Sequence, residues 1–352
     1  MRLDRELERS LRAALKAGES PWVNVRLEVL RDKGLAHNHV RLAGAGILAR
    51  IPKQSQLGLN AQANLRYQRA CFERAQASGH TPKFMGWLQT STHLPHGALL
   101  VEEIIGRPAV LPGDLDAIAR SLASLHALAL PSATDREALL NADDPLRALA
   151  GEIDDQARHL QAAGIASASA AAIEREMAGL RMACESSARP QRHLIAFDGH
   201  PGNFIINAAG DAMLVDLEKC RYSYPGLDLA HATLYTSTTW DLECCATLDV
   251  DQVLRFYAAW AAAVGPAATE ARPWHVPLRR AMWLWSVTWC AKWRAMSGLA
   301  ASASADGEDW SAERSGAALV AHVRGRVDHY LSAPVVAQVL AEFDALDRAL
   351  GA

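Results

Sequence analysis

The sequence has little of several features that mark particular classes of protein. The formal net charge is only −3 over 352 residues, so no excess of positive charge indicates binding to nucleic acid or to an anionic membrane. No apolar run approaches the roughly 18 residues of a membrane-spanning helix. The N-terminal stretch MRLDRELERSLRAAL is too charged for a signal peptide and contains acidic residues that transit peptides lack. We therefore expect a cytoplasmic protein with no nucleic-acid partner and no membrane partner.

Cysteine is also sparse, and its spacing indicates neither a redox pair nor a zinc site. The six cysteines form no CxxC pair and no metal-ligand pattern; they are Cys71, Cys184, Cys220, Cys244, Cys245 and Cys290. We interpret the adjacent Cys244 and Cys245 as small packing residues rather than a redox centre. The pattern predicts reduced thiols in a cytosolic enzyme and argues against a zinc site.

The order of the predicted elements indicates an α+β protein with two lobes. Half of the residues are hydrophobic and the chain is long enough for two cores. Residues 2–17 predict an amphipathic helix, residues 23–51 predict strands, and residues 61–78 predict another helix. A second short β region follows, and beyond Pro112 the pattern is mostly helical. Strands followed by helices predict a small β-rich lobe at 1–104 and a larger, mostly helical lobe at 105–352.

One stretch of the helical part stands out because it sets two carboxylates and an amide around short apolar runs. In residues 197–219, FDGHPGNFIINAAGDAMLVDLEK, the GHPG segment disfavours helix and predicts a tight loop between Asp198 and Asn203. NFIIN and AMLVDLE predict two strands joined by the turn AAGD. A hairpin brings its two ends together, so Asn203 and Asp216 can face the same space, with Asp198 just ahead of them.

This arrangement suits phosphoryl transfer. Magnesium takes few protein oxygens and completes its shell with water and phosphate, which fits the pair Asn203 and Asp216. A separate carboxylate at Asp198 fits a base that orients a hydroxyl nucleophile, because positioning and charge neutralisation do most of the work in this reaction. The alternative is three polar residues on a surface hairpin, but the combination of D-x-x-x-x-N with a distal aspartate favours function.

The same segment resembles the catalytic and metal-binding loops of the aminoglycoside phosphotransferase and choline kinase family, which has the protein-kinase-like fold. That family's first loop reads H-G-D-x-H-P-G-N, and this chain has AFDGHPGN. The resemblance implies that Asp198 is the catalytic base, that Asn203 and Asp216 are magnesium ligands, and that Glu218 is an outer-sphere helper.

The chain departs from the family pattern at one place in this loop, and two further segments resemble family elements. Ala196 and Phe197 stand where the family has His-Gly, and the loss of that bracing histidine bears on the rigidity of the loop. PGLDLAHAT resembles the family's P-x-x-D-L-A element, which implies that Asp228 fixes the catalytic loop through backbone hydrogen bonds. SLASLHAL resembles the family helix that ends in LARLHAL, and there His126 is a packing histidine or, alternatively, a catalyst.

In the N-terminal part, KGLAHNHVRLAGAGILARIPK resembles the family's GLTNRVYRL and YVLRLP elements. The resemblance implies that residues 34–39, including Gly34 and Asn38, form the turn that covers the nucleotide and offers backbone N–H groups to its phosphates. It also implies that Arg50 pairs with the α- and β-phosphates of ATP, with Lys53 as the alternative.

Two further points concern the nucleotide site. The family's partner for the basic residue is a glutamate on the next helix, but the matching position here is Gln68, with Glu73 a turn later, so a hydrogen bond replaces the ion pair. GALLVEEIIGRP resembles the family's hinge, LLMEYIPGEP. The resemblance implies that backbone groups of Glu102, Glu103 and Ile104 bind the adenine edge while the acidic side chains point elsewhere.

The sequence says less about the residues that would bind the phosphoryl acceptor. Trp285, Trp289 and Trp293 recur at helical spacing, which indicates either core packing or an apolar wall for the acceptor. Asp241 and Glu243 either lie near an amine-bearing acceptor or have a capping or solvated role. Polycationic acceptors favour strongly acidic proteins, so a net charge of −3 favours a hydroxylated metabolite of low charge.

These observations together predict an ATP- and Mg²⁺-dependent small-molecule O-kinase that transfers the γ-phosphoryl group to a hydroxyl. Five motifs, from Gly34 to Ala232, occur in the family's order. The alternative from a different class is a non-catalytic, nucleotide-binding scaffold on the same fold, motivated by the Ala196–Phe197 departure and by Gln68. A third possibility is an enzyme that transfers a nucleotidyl group. The sequence leaves the oligomeric state and the identity of the acceptor open.

Overall fold

The computed structural model of the protein describes residues 2–31 and 34–351, and the chain divides into two compact units. The first unit comprises Met1–Gln76, Pro82–Ile104 and Met296–Val323, and the second comprises Ala77–Thr81, Ile105–Ala295 and Arg324–Ala352. The first is β-rich and the second is mostly helical, as the sequence predicts.

The first unit is built on one antiparallel sheet of five strands. Its elements are α1 (Arg2–Ala17), β1 (Leu27–Val29), β2 (His37–Leu42), β3 (Ile47–Pro52), α2 (Ala61–Ala75), β4 (Phe84–Leu88) and β5 (Ala98–Glu102). The strand order is β1-β2-β3-β5-β4. Leu11 and Leu15 of α1, one helical turn apart, are buried in the same core as Val40 and Leu100 of the sheet. The apolar stripe of α1 thus belongs to the core of this unit.

The first strand is shorter than its sequence pattern predicts. VNVRLEVL alternates over eight residues, yet only Leu27–Val29 pairs with β2. The guanidinium group of Arg12, on α1, donates hydrogen bonds to the carbonyl oxygens of Val23 at 2.5 Å and Val25 at 2.6 Å. These carbonyls are therefore satisfied by a helix side chain rather than by a neighbouring strand.

A segment from the C-terminal part of the chain belongs to the first unit, which differs from the predicted division at 104 and 105. The N–H of Gly307 donates to the carbonyl of Leu59 at 2.9 Å, and the N–H of Ser55 donates to the carbonyl of Gly307 at 3.2 Å. Asp306 accepts a hydrogen bond from the N–H of Ala61, at the start of α2, at 2.8 Å. These bonds fix a segment whose composition predicts only a mobile surface loop.

The second unit contains most of the helices and two small antiparallel sheets. Its strands are β6 (Arg107–Pro108), β7 (His193–Ile195), β8 (Phe204–Ile206), β9 (Ala212–Leu214) and β10 (Arg221–Ser223). Its helices up to residue 264 are α3 (Leu115–His126), α4 (Ala133–Arg136), α5 (Pro145–Ala157), α6 (Ser167–Glu185), α7 (Pro225–Thr233), α8 (Tyr235–Thr238) and α9 (Val250–Val264). The later helices of the chain are α10 (Ala267–Ala271), α11 (His275–Met296), α12 (Ala317–Tyr330) and α13 (Ala333–Gly351).

The small sheets position the loops between them. One has the order β6-β8-β9 and the other pairs β10 with β7. The predicted hairpin is confirmed, because Phe204 pairs with Leu214 and Ile206 pairs with Ala212. Gly210 in its turn has φ of 84°, a conformation that favours glycine. Within residues 2–31 and 34–351, none of the helices is both long and apolar enough to cross a membrane.

Candidate active site

A buried carboxylate fixes the start of the loop that carries Asp198. Asp228, on α7, is fully buried and accepts hydrogen bonds from the N–H groups of Ala196 at 2.8 Å and Phe197 at 2.7 Å. It also lies 3.0 Å from Nε2 of His126, whose Nδ1 accepts from the indole N–H of Trp260 at 3.0 Å. Because Nδ1 is an acceptor, Nε2 carries the proton that is donated to Asp228. The interpretation of Asp228 as the loop-fixing residue is confirmed, and His126 is a packing residue.

The tight loop brings Asp198 and Asn203 together. Nδ2 of Asn203 donates to the carbonyl oxygen of Asp198 at 2.9 Å. Because Nδ2 makes this bond, the amide oxygen, which is the atom able to bind a metal ion, lies on the other side of the amide. A Cβ atom at Gly202 would lie 2.9 Å from Oδ2 of Asp241, so the loop needs glycine at this position.

Asp216 follows the far end of the hairpin. The N–H of Val215 donates to the carbonyl of Asn203 at 2.9 Å, one residue beyond the pair of Phe204 and Leu214. Asp216 is therefore the next residue after the partner of Asn203. The hairpin thus carries both predicted metal ligands at its open end.

Lys219 is the most important residue that the sequence analysis missed. Its Nζ donates to Oδ2 of Asp198 at 2.7 Å, and both side chains are nearly buried. Burial by itself raises the pKa of the Asp198 carboxyl, but the positive electrostatic surroundings of the carboxyl, with Lys219 as the strongest contributor, together outweigh burial and the net shift is downward. Burial lowers the pKa of the Lys219 ammonium, but the charges of Asp198 and Glu218 outweigh it and raise that pKa. Asp198 is therefore ionised at neutral pH.

A neutral histidine completes the surroundings of Asp198. Nδ1 of His231, on α7, lies 3.7 Å from Oδ1 of Asp198 and 3.2 Å from the carbonyl oxygen of Phe197. Burial lowers the pKa of His231 to about 4, despite the opposing effect of the Asp198 charge. The ring is consequently uncharged at neutral pH, so Nδ1–H donates to the carbonyl of Phe197. The HAT stretch after DLA gave no signal for this contact.

Arg50, the predicted phosphate-binding residue, lies in β3 of the first unit and is 3% exposed. Its guanidinium group makes long hydrogen bonds to His39 at 3.4 Å and His37 at 3.5 Å, and lies over the ring of Phe72. Nε2 of His37 lies 3.0 Å from Oε1 of Gln68. His37, which the sequence analysis missed, therefore links Arg50 to Gln68.

The predicted nucleotide-covering turn is shorter than residues 34–39. Strand β2 begins at His37, and Asn38 pairs with Ile51 inside the sheet, so the assignment of Asn38 to a turn is wrong. Strands β2 and β3 pair over all six of their residues, from His37 to Leu42, so the ladder takes up part of the predicted turn. Lys53, just beyond β3, donates to the carbonyl of Gly34 at 2.9 Å. Lys53 thus holds the Gly34 end of the turn.

The predicted hinge, Glu102 to Ile104, begins at the last residue of β5. The N–H of Glu102 donates to the carbonyl of Lys83, and the N–H of Glu103 donates to the carbonyl of Gly46, both at 2.9 Å. Two of the three predicted hinge N–H groups are thus engaged within the first unit, and Ile104 is the last residue of that stretch of the unit. The carboxylate of Glu103 forms an ion pair with an arginine of β2.

The tryptophans of α11 divide between packing and partial exposure. Trp283 and Trp293 are buried at 0% and 3% exposed, and Trp285 is 9% exposed. Trp289 is half-buried, with its ring 5.9 Å from that of Trp240 in an edge-to-face arrangement. Packing therefore accounts for most of the stripe.

Asp241 and Glu243, the two acidic residues beyond α8, are joined by a local turn. Oδ1 of Asp241 accepts a hydrogen bond from the N–H of Glu243 at 2.8 Å. This is the side-chain-to-backbone bond typical of aspartate in turns, and it gives Asp241 a local structural role.

Taken together, a β-rich unit with an inward arginine and a helical unit with a braced Asp-to-Asn loop before a hairpin define a protein-kinase-like fold. The family model described as "Phosphotransferase enzyme family" matches residues 33–274, so the chain belongs to that family. The predicted enzyme class, a phosphotransferase, is confirmed by this membership. The search of curated proteins found no match.

Solved structures agree on the fold. A choline/ethanolamine kinase family protein from Mesorhizobium loti is 18% identical, with a TM-score of 0.60 over 96% of this chain and 99% of that one. The ethanolamine kinase Pv091845 of Plasmodium vivax is 13% identical, with a TM-score of 0.59 over 90% and 85%. The GDP complex of aminoglycoside 2'-phosphotransferase-IIIa is 13% identical, with a TM-score of 0.55 over 91% and 97%. The predicted α+β, kinase-like fold is confirmed.

Proposed function

We propose that the protein is an ATP- and Mg²⁺-dependent small-molecule O-kinase. The observation that carries the proposal is the ionised Asp198, which stands on a loop fixed by Asp228 and contacts Asn203 at the open end of the hairpin. Phosphoryl transfer depends on positioning and on neutralising charge rather than on covalent chemistry by the protein, and this arrangement supplies both.

The donor set fits magnesium. The amide oxygen of Asn203 and the carboxylate of Asp216 are hard oxygen ligands, and magnesium commonly binds one or two such groups together with phosphates and water. Glu218 would act on the outer shell. When bound, the ion neutralises charge on the phosphates. Arg50 would pair with the α- and β-phosphates, and the segment from Glu102 to Ile104 would bind the base.

The chain's own contribution to the reaction is orientation. Asp198 accepts the acceptor hydroxyl's hydrogen and directs its oxygen at the γ-phosphorus. A bond forms between that oxygen and phosphorus, the bond to the β–γ bridging oxygen breaks, and the hydroxyl proton passes to Asp198 and then to solvent. We propose a hydroxylated metabolite of low charge as the acceptor, from the small net charge of the chain.

The non-catalytic alternative rests on two departures from the family pattern, and contacts in the structure stabilise both positions. Arg50 is hydrogen-bonded through His37 to Gln68. The loop at Ala196 and Phe197 is braced by Asp228. These contacts support an enzyme rather than a scaffold.

The test is a phosphorylation screen with a panel of hydroxyl-bearing metabolites, using ATP or GTP with Mg²⁺ and mass spectrometry of the products. We expect at least one product heavier by one phosphoryl group. A product heavier by a nucleotidyl group would instead indicate nucleotidyl transfer. ATP binding without modification of any panel member would favour the scaffold.

Asp216→Ala should weaken Mg²⁺-dependent ATP binding by about tenfold or more, because it removes a charged ligand of the proposed metal site. Titration calorimetry with ATP, with and without Mg²⁺, measures the difference. The matched control is Asp211→Ala, at the other end of β9, which should leave the affinity unchanged. Equal affinities for the wild type and Asp216→Ala would remove Asp216 from the metal site.

A further inference from the structure

Phe197 has a backbone conformation that its side chain does not favour. Its φ is 61°, in the left-handed region, and it stands directly before Asp198. For a bulky residue this conformation is costly, and it persists only where the surroundings hold it in place. Asp228 holds the N–H of Phe197, and His231 donates to its carbonyl oxygen. The remaining restraint comes from contacts of the ring.

The ring of Phe197 is held by one cation and one aromatic side chain. The guanidinium carbon of Arg221, on β10, lies 3.6 Å from the ring centroid. The indole ring of Trp285, on α11, meets the phenyl ring edge-to-face, with 5.1 Å between centroids and an interplanar angle of 84°. Both arrangements are favourable for aromatic rings, and Phe197 is 1% exposed.

A single carboxylate orients both of these partners. Oε1 of Glu152, on α5, accepts from Nη1 of Arg221 at 2.6 Å, and Oε2 accepts from the indole N–H of Trp285 at 3.1 Å. Each oxygen of Glu152 thus fixes one of the two groups that contact Phe197. We name these four residues, Phe197, Arg221, Trp285 and Glu152, the Phe197 clamp.

The Phe197 clamp also reaches the counter-ion of Asp198. Nζ of Lys219 lies 5.5 Å from the centroid of the Trp285 ring while it donates to Oδ2 of Asp198 at 2.7 Å. Trp285 therefore contacts Phe197, the residue before Asp198, and Lys219, the residue paired with its carboxylate. A shift of this indole would move both.

We propose that Trp285 and Glu152 are positioning residues for Asp198, acting through the ring of Phe197 and through Lys219. This inference rests on the proposed function, because it presupposes the role of Asp198. Neither residue needs to touch the substrate. In this chain the Phe197 clamp stabilises the loop where the resemblance implies a bracing histidine, and it gives the tryptophan stripe of α11 a function at Trp285.

The test compares two substitutions that each remove one indole N–H from α11. In Trp285→Phe the lost N–H is the one bonded to Glu152, whereas Trp283 Nε1 has no hydrogen-bond partner among the described residues. We expect Trp285→Phe to lower kcat about tenfold with an unchanged KM for ATP, because small misplacements of a reacting group are costly. Trp283→Phe should keep kcat within about twofold of the wild type.

Glu152→Gln supplies the second half of the test. It keeps the shape of the side chain but removes the charge that pairs with Arg221, and we expect a fall in kcat similar to that of Trp285→Phe. If the two residues act as one unit, the double variant should lose no more than about the larger single loss. The thermal midpoint and the Kd for ATP are measured for every variant, and both should stay near the wild-type values.

The outcomes separate the two proposals. Full kcat in both Trp285→Phe and Glu152→Gln, in an enzyme that Asp198→Asn inactivates, would overturn the Phe197 clamp and leave the kinase assignment intact. A fall in kcat that only accompanies a lower thermal midpoint, or strict additivity in the double variant, would also contradict it. Absence of phosphoryl transfer by the wild type in the metabolite screen would instead refute the proposed function itself.

Discussion

Asp198→Ala should abolish phosphoryl transfer, with an expected loss of about a thousandfold or more in kcat, while the Kd for ATP should stay within about twofold. Orientation of the nucleophile and general-base assistance each contribute factors of this order. The substitution removes the carboxylate that bonds to Lys219, but it retains the backbone carbonyl of residue 198 that accepts from Asn203. Steady-state kinetics with the identified acceptor, together with titration calorimetry for ATP, measure the two quantities.

The alanine variant has a side effect that a second variant controls. Without the carboxylate, Lys219 remains as a nearly buried cation that has lost a partner at 2.7 Å, and an uncompensated charge is unfavourable there. Asp198→Asn keeps an oxygen that can accept from Lys219 but has lost the base. We expect it to be as inactive as Asp198→Ala but better folded. Equal turnover by the wild type and Asp198→Asn would remove Asp198 from its role.

The parts of the site that the sequence predicts are those encoded by local turns and short pairings. The loop from Asp198 to Asn203 follows from the glycine and proline residues of GHPG, and the hairpin follows from AAGD. The bracing by Asp228 was implied by family resemblance and not by any local pattern. In the loop and the hairpin a few neighbouring residues fix the geometry, whereas Asp228 reaches the loop from 31 and 32 positions away.

The parts that could not be predicted depend on residues far apart in the chain. Trp285 and Glu152 are separated by 133 positions, and Phe197 meets both α11 and β10 only after the unit has folded. Helical periodicity indicated either core packing or an apolar wall for the tryptophans, but it could not say which indole N–H bonds to a carboxylate. The same reason applies to Lys219, because DLEK contains no signal for a bend back to Asp198.

The segment 296–323 and the start of β2 show a different limitation. Composition predicts a loop at 298–311, yet Asp306 and Gly307 make hydrogen bonds that belong to the first unit. Such bonds use backbone groups and a short aspartate, which leave no periodic pattern. Likewise, the pairing of Asn38 with Ile51 is set by the register of β2 and β3 and not by the residue type.

Asp228→Ala should destabilise the protein strongly, by on the order of 3 kcal/mol in the free energy of unfolding. The side chain is fully buried, and its removal leaves the N–H groups of Ala196 and Phe197 and the Nε2–H of His126 without their acceptor. Each buried donor without a partner costs about 1–3 kcal/mol, so three lost bonds exceed the cost of an ordinary surface change even if the site relaxes.

Urea denaturation followed by circular dichroism measures this loss, and the chain offers a matched control. Asp249 caps α9 at an exposed position, where its Oδ1 accepts from the N–H of Gln252 at 2.8 Å. Asp249→Ala should therefore lower the free energy of unfolding by only about 1 kcal/mol. The loop carrying Asp198 should also lose its geometry in Asp228→Ala, so turnover should fall even at temperatures where the variant is folded. A free energy of unfolding for Asp228→Ala equal to that of Asp249→Ala would show that the three bonds to Asp228 contribute no more than one surface cap.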